Sequence, residues 1–301
     1  MKKFRLYHAF FLAFYISGCA QEKSSGATLT EILNISYQIN SEPDSLQQLN
    51  LLIPKDIDSP PLLLWIGGGA WSFVDRHMEM DLCKKIATAG IAVASVGHRL
   101  SKGSFSEKRK PTGVQHPEHI KDVATAFTWL VKHAEEYGYD NKKIFVGGFS
   151  SGAHLSALLG MDARYLQAHG LSPDNIKGLL PISGAYDIPD YYNVFFTHEN
   201  ASSRAFAQTH VKDVFGEEEN FVAASPVTYI DELKLPMLLV SDNALDNYTK
   251  LFEKKLKEIG YDDFEVYYEK ALNHGELWRA MSTAENNEVR SRMIKFIRKH
   301  S

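Results

Sequence analysis

Gly148-Phe149-Ser150-Ser151-Gly152 is a G-x-S-x-G pentapeptide, and what stands on either side of it gives it chemical meaning. The apolar stretch Ile144-Phe145-Val146-Gly147 before it reads as a buried strand. Ala153-His154-Leu155-Ser156-Ala157-Leu158-Leu159 after it is a good helix former. A serine on a tight turn between strand and helix has its Oγ thrust out over the sheet, as a nucleophile requires. Glycines flank it because the turn is strained and the neighbouring backbone comes too close for side chains. Only Ser150 fits this frame, since a nucleophile at Ser151 would need glycines where Phe149 and Ala153 stand. A serine hydroxyl is too weakly acidic to attack unaided, so a base must lie within reach.

The elements that position such a serine follow from the apolar pattern. Short β-rich segments fall near 35–39 and 49–54, and apolar runs of buried-strand type at 61–66, 91–96, 178–182, 236–240 and 264–268. Helical patterns cover 78–89, closed by Gly90; 119–137, stopped at Gly138; 247–259, capped by Gly260; and 288–298. Apolar strands alternating with helices imply an α/β domain: a mostly parallel central sheet with helices on both faces. At 301 residues the chain suits one such domain. The stretch 189–215, between a strand and the next helix, has room for a small cap insertion.

Several further segments carry a resemblance. Trp65-Ile66-Gly67-Gly68-Gly69-Ala70-Trp71, His98-Arg99-Leu100, His116-Pro117-Glu118-His119-Ile120-Lys121-Asp122, Ser183-Gly184-Ala185-Tyr186-Asp187 and Ala224-Ser225-Pro226 stand in order along the chain with the elbow. Together they resemble the α/β-hydrolase esterases of the group holding hormone-sensitive-lipase-like carboxylesterases, acetyl-xylan and feruloyl esterases, and arylformamidases. The likeness spans roughly residues 46–298. It implies the α/β-hydrolase fold and a Ser-His-Asp triad in the chain order Ser, Asp, His. His274, in the loop after the last strand, matches the general base. The backbone N–H groups of Gly69, Ala70 and Ser151 match the oxyanion hole.

Two departures matter. The histidine that heads the oxyanion segment in such esterases is Gly67 here, so bracing of that loop by a side chain is lost or comes from elsewhere. The acid is also displaced. Counting forward from Pro236 favours Asp246; counting back from Gly260 favours Asp242. Asp246 is the preferred acid, with Asp242 as its alternative, although Asp246 could equally be a plain helix cap. Trp71, Tyr186 and the aromatic stretch from Tyr191 to Phe196 are candidates for the substrate pocket. Asp122 and Asp187 fit loop bracing better than chemistry.

The N-terminus has a different character. Met1-Lys2-Lys3-Phe4-Arg5 is basic, and 6–16 is a short apolar stretch of secretory type. Ile16-Ser17-Gly18-Cys19 resembles the bacterial lipobox, whose cysteine is lipidated and becomes the new N-terminus. A non-lipidated signal with an incidental cysteine is the alternative. The expected division is a lipoprotein signal peptide at 1–18, a tether at 19–30 and the α/β-hydrolase domain at 31–301. Ala20, in place of Asp, implies the outer membrane, facing the periplasm, with the lipid as the one membrane contact. Cys83, the other cysteine, sits on an amphipathic helical stretch and reads as a buried structural thiol.

A net charge of −4 lacks the basic footprint of a nucleic-acid partner. The glycine run lacks the Lys-Ser/Thr ending of a P-loop, and no set of His, Cys and carboxylates has metal-ligand spacing. The expectation is a cofactor-free serine hydrolase acting on a small-molecule ester, with acetylated or feruloylated carbohydrate as the leading substrate. An arylformamidase-like amide substrate and a non-catalytic binding lipoprotein with a hydrolase shell are the alternatives. Nothing in the chain sets an oligomeric state.

Overall fold

The computed structural model describes residues 28–38, 44–102 and 113–301. The signal segment, Cys19 and most of the expected tether lie outside the described residues. Among them, eight strands form one sheet in the order β1-β2-β4-β3-β5-β6-β7-β8. The strands are β1 (Leu29–Ser36), β2 (Gln48–Pro54), β3 (Leu62–Ile66), β4 (Ala92–Val96), β5 (Ile144–Phe149), β6 (Gly178–Ile182), β7 (Met237–Ser241) and β8 (Phe264–Tyr268). β2 runs antiparallel to β1 and β4; from β4 through β8 every pair is parallel. Parallel neighbours need crossovers, and the intervening chain supplies helices for them.

The helices are α1 (Met80–Ala87), α2 (Glu118–Tyr137), α3 (Ser151–Met161), α4 (Ala163–Gln167), α5 (Ile188–Phe196), α6 (Ala201–Phe206), α7 (Asp213–Phe215), α8 (Asp246–Glu258), α9 (His274–Thr283) and α10 (Glu288–His300). Alternate residues of each central strand feed opposite cores. Leu62, Leu64 and Ile66 of β3 pack with Ile120 and Phe127 of α2, Leu155 of α3 and Phe252 of α8. Leu63 and Trp65 face the other way, onto Leu82 and Ile86 of α1, Leu277 of α9 and Met293 of α10. With both faces covered, the central strands are apolar along most of their length, which is why they read as hydrophobic runs. Cys83 is buried in the second of these cores.

Two expectations shift. The expected tether runs to residue 30, but β1 begins at Leu29, which pairs with Pro54, while Thr30 pairs with Ile53. β1 is an edge strand with Glu31, Leu33 and Asn34 exposed and no residue fully buried, so its apolar signal is weak and its start is hard to read. A helix also begins at His274, where only a loop was expected. Its start is marked locally by a capping box, in which Asn273 accepts from the Glu276 N–H and Glu276 accepts from the Asn273 N–H.

Candidate active site

Every residue of the site hangs from the carboxyl edge of the sheet. At the end of β5, Ser150 has φ 56° and ψ −117°, a conformation L-residues rarely hold. The strain is maintained by its surroundings: the Ser150 N–H donates to the Ile182 carbonyl of β6 at 2.9 Å, and its own carbonyl accepts the N–H groups of Ala153 and His154. The elbow glycines have no room for substitution. A Cβ on Gly152 would stand 2.0 Å from the Ile66 carbonyl oxygen, and one on Gly148 would stand 2.4 Å from the Gly152 backbone. The helix that follows therefore enters against β3, and the serine is left at the apex.

His274, first residue of α9, meets Ser150. Its Nε2 is 2.9 Å from Ser150 Oγ, and its Nδ1 is 2.7 Å from Asp242 Oδ2. An ionised carboxylate only accepts, so Nδ1 carries the proton and Nε2 is the acceptor for the serine O–H. That is the tautomer a general base needs. The ring lies against Phe149, with centroids 4.5 Å apart, which limits its freedom to swing away.

The acid that backs this histidine is Asp242, so the preference for Asp246 is corrected. Asp242 directly follows β7 and is completely buried. Its Oδ1 accepts the N–H groups of Ala244 at 2.8 Å and Leu245 at 3.0 Å, while its own N–H donates to Ser183 Oγ. Burial pushes its pKa up, but the bonds from His274 and Ser183 outweigh burial and hold it below the ordinary carboxylate value. The Asn243 N–H donates to the Leu272 carbonyl, which fastens the acid's turn to the loop that carries His274. Asp246 stands at the start of α8, points to solvent and pairs with Lys250 one turn along. Spacing along the chain could not separate the two. What separates them is that a tight Asx-type turn returns the chain at once, leaving only the residue at the strand end under the histidine.

The oxyanion segment follows β3. Ala70 and Trp71 both have positive φ, 45° and 56°. The Gly69 carbonyl accepts the N–H groups of Ser72 and Phe73 at 2.8 and 2.9 Å, which folds the segment into a compact turn. A Cβ on Gly69 would lie 2.6 Å from the Val74 nitrogen, so only glycine fits there. Gly69 and Ala70 line the cavity that also exposes Ser150 and His274. Ser151 opens α3, where a first-turn N–H has no helical carbonyl partner, but the residue is buried and is not among those lining the cavity.

That cavity has a volume of about 510 Å³. Its wall differs from expectation. Trp71 and Tyr186, proposed as pocket residues, are buried and do not line it. The Trp71 indole N–H donates to His154 Nδ1 at 3.3 Å, and the opposite ring nitrogen of His154 donates to the Ala224 carbonyl at 2.8 Å. Burial lowers the pKa of His154 to about 3, so it stays neutral and in that tautomer. Trp71 thus anchors the oxyanion turn to α3. Tyr186 stacks on Phe252 of α8, 4.4 Å away, and belongs to the core. The wall is made by Phe73 and Trp278 together with Tyr191, Phe195 and Phe206 of the helical insertion and Leu245. Tyr191 and Phe195 sat within the aromatic stretch seen in the sequence. Phe206, Leu245 and Trp278 left no local signal, because only the fold of the insertion, of the β7–α8 turn and of α9 brings them to the cavity. Glu79, which reaches the same cavity, was also missed.

Asp122 and Asp187 act as braces. Asp122 holds the guanidinium of Arg99 and the amide of Gln47, and Asp187 caps α5.

Known proteins share this architecture. The model of the family described as BD-FAE matches residues 49–251. Esterase LipC of Mycobacterium tuberculosis (strain ATCC 25618 / H37Rv) is 28% identical over 206 residues, which cover 65% of this chain and 48% of LipC. Esterase LipQ of the same organism is 27% identical over 190 residues, covering 60% of this chain and 41% of LipQ. The chain thus spans about half the length, or less, of these curated relatives. Among solved structures, an inhibited esterase B from Lactobacillus rhamnosis superimposes with a TM-score of 0.75 at 19% identity, covering 90% of this chain and 87% of that one. A truncated carbohydrate esterase from gut microbiota superimposes with a TM-score of 0.69 at 19% identity, covering 91% and 97%. At such identities the superpositions establish the α/β-hydrolase fold.

Proposed function

Because this chain belongs to the BD-FAE family, we propose that it is a serine hydrolase of small carboxylic esters, working through an acyl-enzyme without a cofactor. One observation carries the reading: a strained serine, a histidine and a buried carboxylate stand in line at 2.9 and 2.7 Å beside an open cavity.

In this reading Ser150 Oγ attacks the ester carbonyl carbon while its proton passes to His274 Nε2. Asp242 stabilises the imidazolium that results. The carbonyl oxygen gains the negative charge and is held by the N–H groups of Gly69, Ala70 and Ser151. Each such donor is worth about 3–4 kcal/mol where it has been removed from comparable sites. His274 then returns the proton to the departing alkoxide as the C–O bond breaks, leaving the acyl group on Ser150. Water, deprotonated by the same imidazole, then attacks the acyl carbon; the bond to Ser150 Oγ breaks, His274 returns the proton to that oxygen, and the acid is freed.

The aromatic wall of Phe73, Tyr191, Phe195, Phe206 and Trp278 suits a flat or apolar group on one side of the ester. Feruloylated carbohydrate fits that chemistry, with acetylated sugars as the smaller option. An aryl formamide shares the flat ring and is the alternative tested beside them. We further propose that the domain is carried at the bacterial outer membrane, facing the periplasm, by lipid on Cys19. Several acyl chains together anchor stably where one does not.

A fluorophosphonate probe and a short p-nitrophenyl ester test the reaction class. The expected result is turnover, with a single adduct on Ser150. An adduct elsewhere, or no labelling of folded protein, would favour a binding module with a hydrolase shell. A panel of feruloyl esters, acetylated sugars and N-formylkynurenine then ranks the substrates. Detergent partition of wild-type protein and Cys19→Ser tests the anchor, and wild-type protein in the aqueous phase would refute it.

A further inference from the structure

Glu79 belongs to none of the motifs above, yet its environment is unusual. It stands just before α1, is 2% exposed and reaches the same cavity as Ser150 and His274. Its Oε2 accepts the indole N–H of Trp65 at 2.8 Å, and its Oε1 accepts the indole N–H of Trp278 at 3.0 Å. Burial raises its pKa and the two indole bonds pull the other way. Buried carboxylates are ordinarily matched to a cation; this one is matched to two neutral donors.

The origin of the two indoles gives the arrangement its meaning. Trp65 is in β3, just ahead of the oxyanion segment. Trp278 is on α9, one turn beyond His274, so the two share a face of the same helix. A Cβ on Gly67 would lie 2.9 Å from Glu79 Cγ and 3.0 Å from Oε1. Glu79 therefore fills the space that a side chain at 67 would need, at the head of the segment that Trp71 anchors farther along.

We propose that Glu79 is a positioning residue that locks the His274 helix to the strand leading into the oxyanion turn, through Trp278 on one side and Trp65 on the other. A carboxylate suits the task because two indole N–H groups converge on one buried space and each needs an acceptor. A rigid helix transmits any slackness at Trp278 back to His274. The loss then falls on proton transfer between Ser150 and His274 more than on substrate affinity.

The inference rests on the serine-hydrolase reading, and the experiment separates the two. Wild-type, Glu79→Gln, Trp278→Phe and the double variant are compared for turnover per serine titrated with fluorophosphonate, with thermal unfolding followed alongside. Glutamine keeps the shape and one acceptor but sets an amide N–H₂ against an indole. Each single variant should lose about ten-fold in kcat, on the scale of small misplacements of reacting groups. In Glu79→Gln, which leaves the aromatic wall intact, KM should stay within about two-fold, whereas Trp278→Phe also alters that wall. The double variant should lose no more than the worse single, because both changes cut one linkage. Equal kcat per titrated serine in Glu79→Gln, or losses that multiply in the double variant, would overturn the inference. If Glu79→Gln does not fold, Trp278→Phe decides alone, and wild-type kcat in that variant overturns it. A wild-type protein unlabelled at Ser150 fails the hydrolase reading instead.

Discussion

Two strand-to-helix turns at the same edge of the sheet hold the attacking serine and its distant acid, and they are built by different means. The β5–α3 turn is made by exclusion. Gly148 and Gly152 are pressed against backbone, and Ser150 is forced to a positive φ that its neighbours maintain. The β7–α8 turn is made by attraction. Asp242 clasps two N–H groups of its own turn, leans on Ser183 of the neighbouring strand end and reaches His274. Exclusion demands glycine at set positions and leaves a pattern in the letters. Attraction can be met by polar residues at several nearby positions, so it leaves none. The first turn was legible from five residues, and the second needed contacts from two other segments, the end of β6 and the loop that carries His274.

The contrast can be broken at several points. Ser150→Ala removes the attacking atom and keeps the turn, so kcat should fall roughly 10⁴–10⁶-fold with the unfolding midpoint nearly unchanged, measured by ester turnover and chemical denaturation. Asp242→Asn comes next, with an expected loss in kcat of about 10²–10⁴-fold. Its amide N–H₂ would face Nδ1, turn that nitrogen into an acceptor and leave Nε2–H pointing at the serine.

The same residue makes a prediction in pH. A carboxylate held below its ordinary pKa in the folded state stabilises the protein above about pH 4, where the unfolded chain is already ionised. The contribution is lost as pH falls through the lower folded value. Wild-type and Asp242→Asn should therefore differ most in stability near neutrality, and the gap should narrow as denaturation is repeated at pH 4 and below.

Gly152→Ala tests exclusion directly. Its Cβ would stand 2.0 Å from a backbone oxygen that cannot move aside, so a loss of about 3 kcal/mol or outright misfolding is expected, seen as a lowered denaturation midpoint. Asp246→Asn should do least. It removes one exposed pair with Lys250, worth roughly 0.3–0.5 kcal/mol, and kcat should stay within two-fold. A large loss of activity in Asp246→Asn with little in Asp242→Asn would reverse the assignment of the acid.

What was readable in the chain had a local or periodic cause. Strands buried on both faces must be apolar throughout, helices stop at Gly138 and Gly260, and the elbow admits only glycine beside its serine. The fold class, Ser150, His274 and the glycine turn at Gly69 followed from those constraints and from the order of the resembling segments. What was not readable depended on where separate segments meet. Trp71 and Tyr186 looked like pocket aromatics, but an aromatic side chain carries no mark of whether it faces a cavity or a core, and both are packed away. Leu245, Phe206 and Trp278 took their place because the β7–α8 turn, the helical insertion and α9 meet at the sheet edge. Glu79 could not be found from letters at all, since its meaning lies in two indoles that approach from β3 and α9. Asp242 and Asp246 are four residues apart and equivalent by composition. Only the tertiary structure chooses between them, because the imidazole sits within bonding distance of the strand end and the helix start faces water.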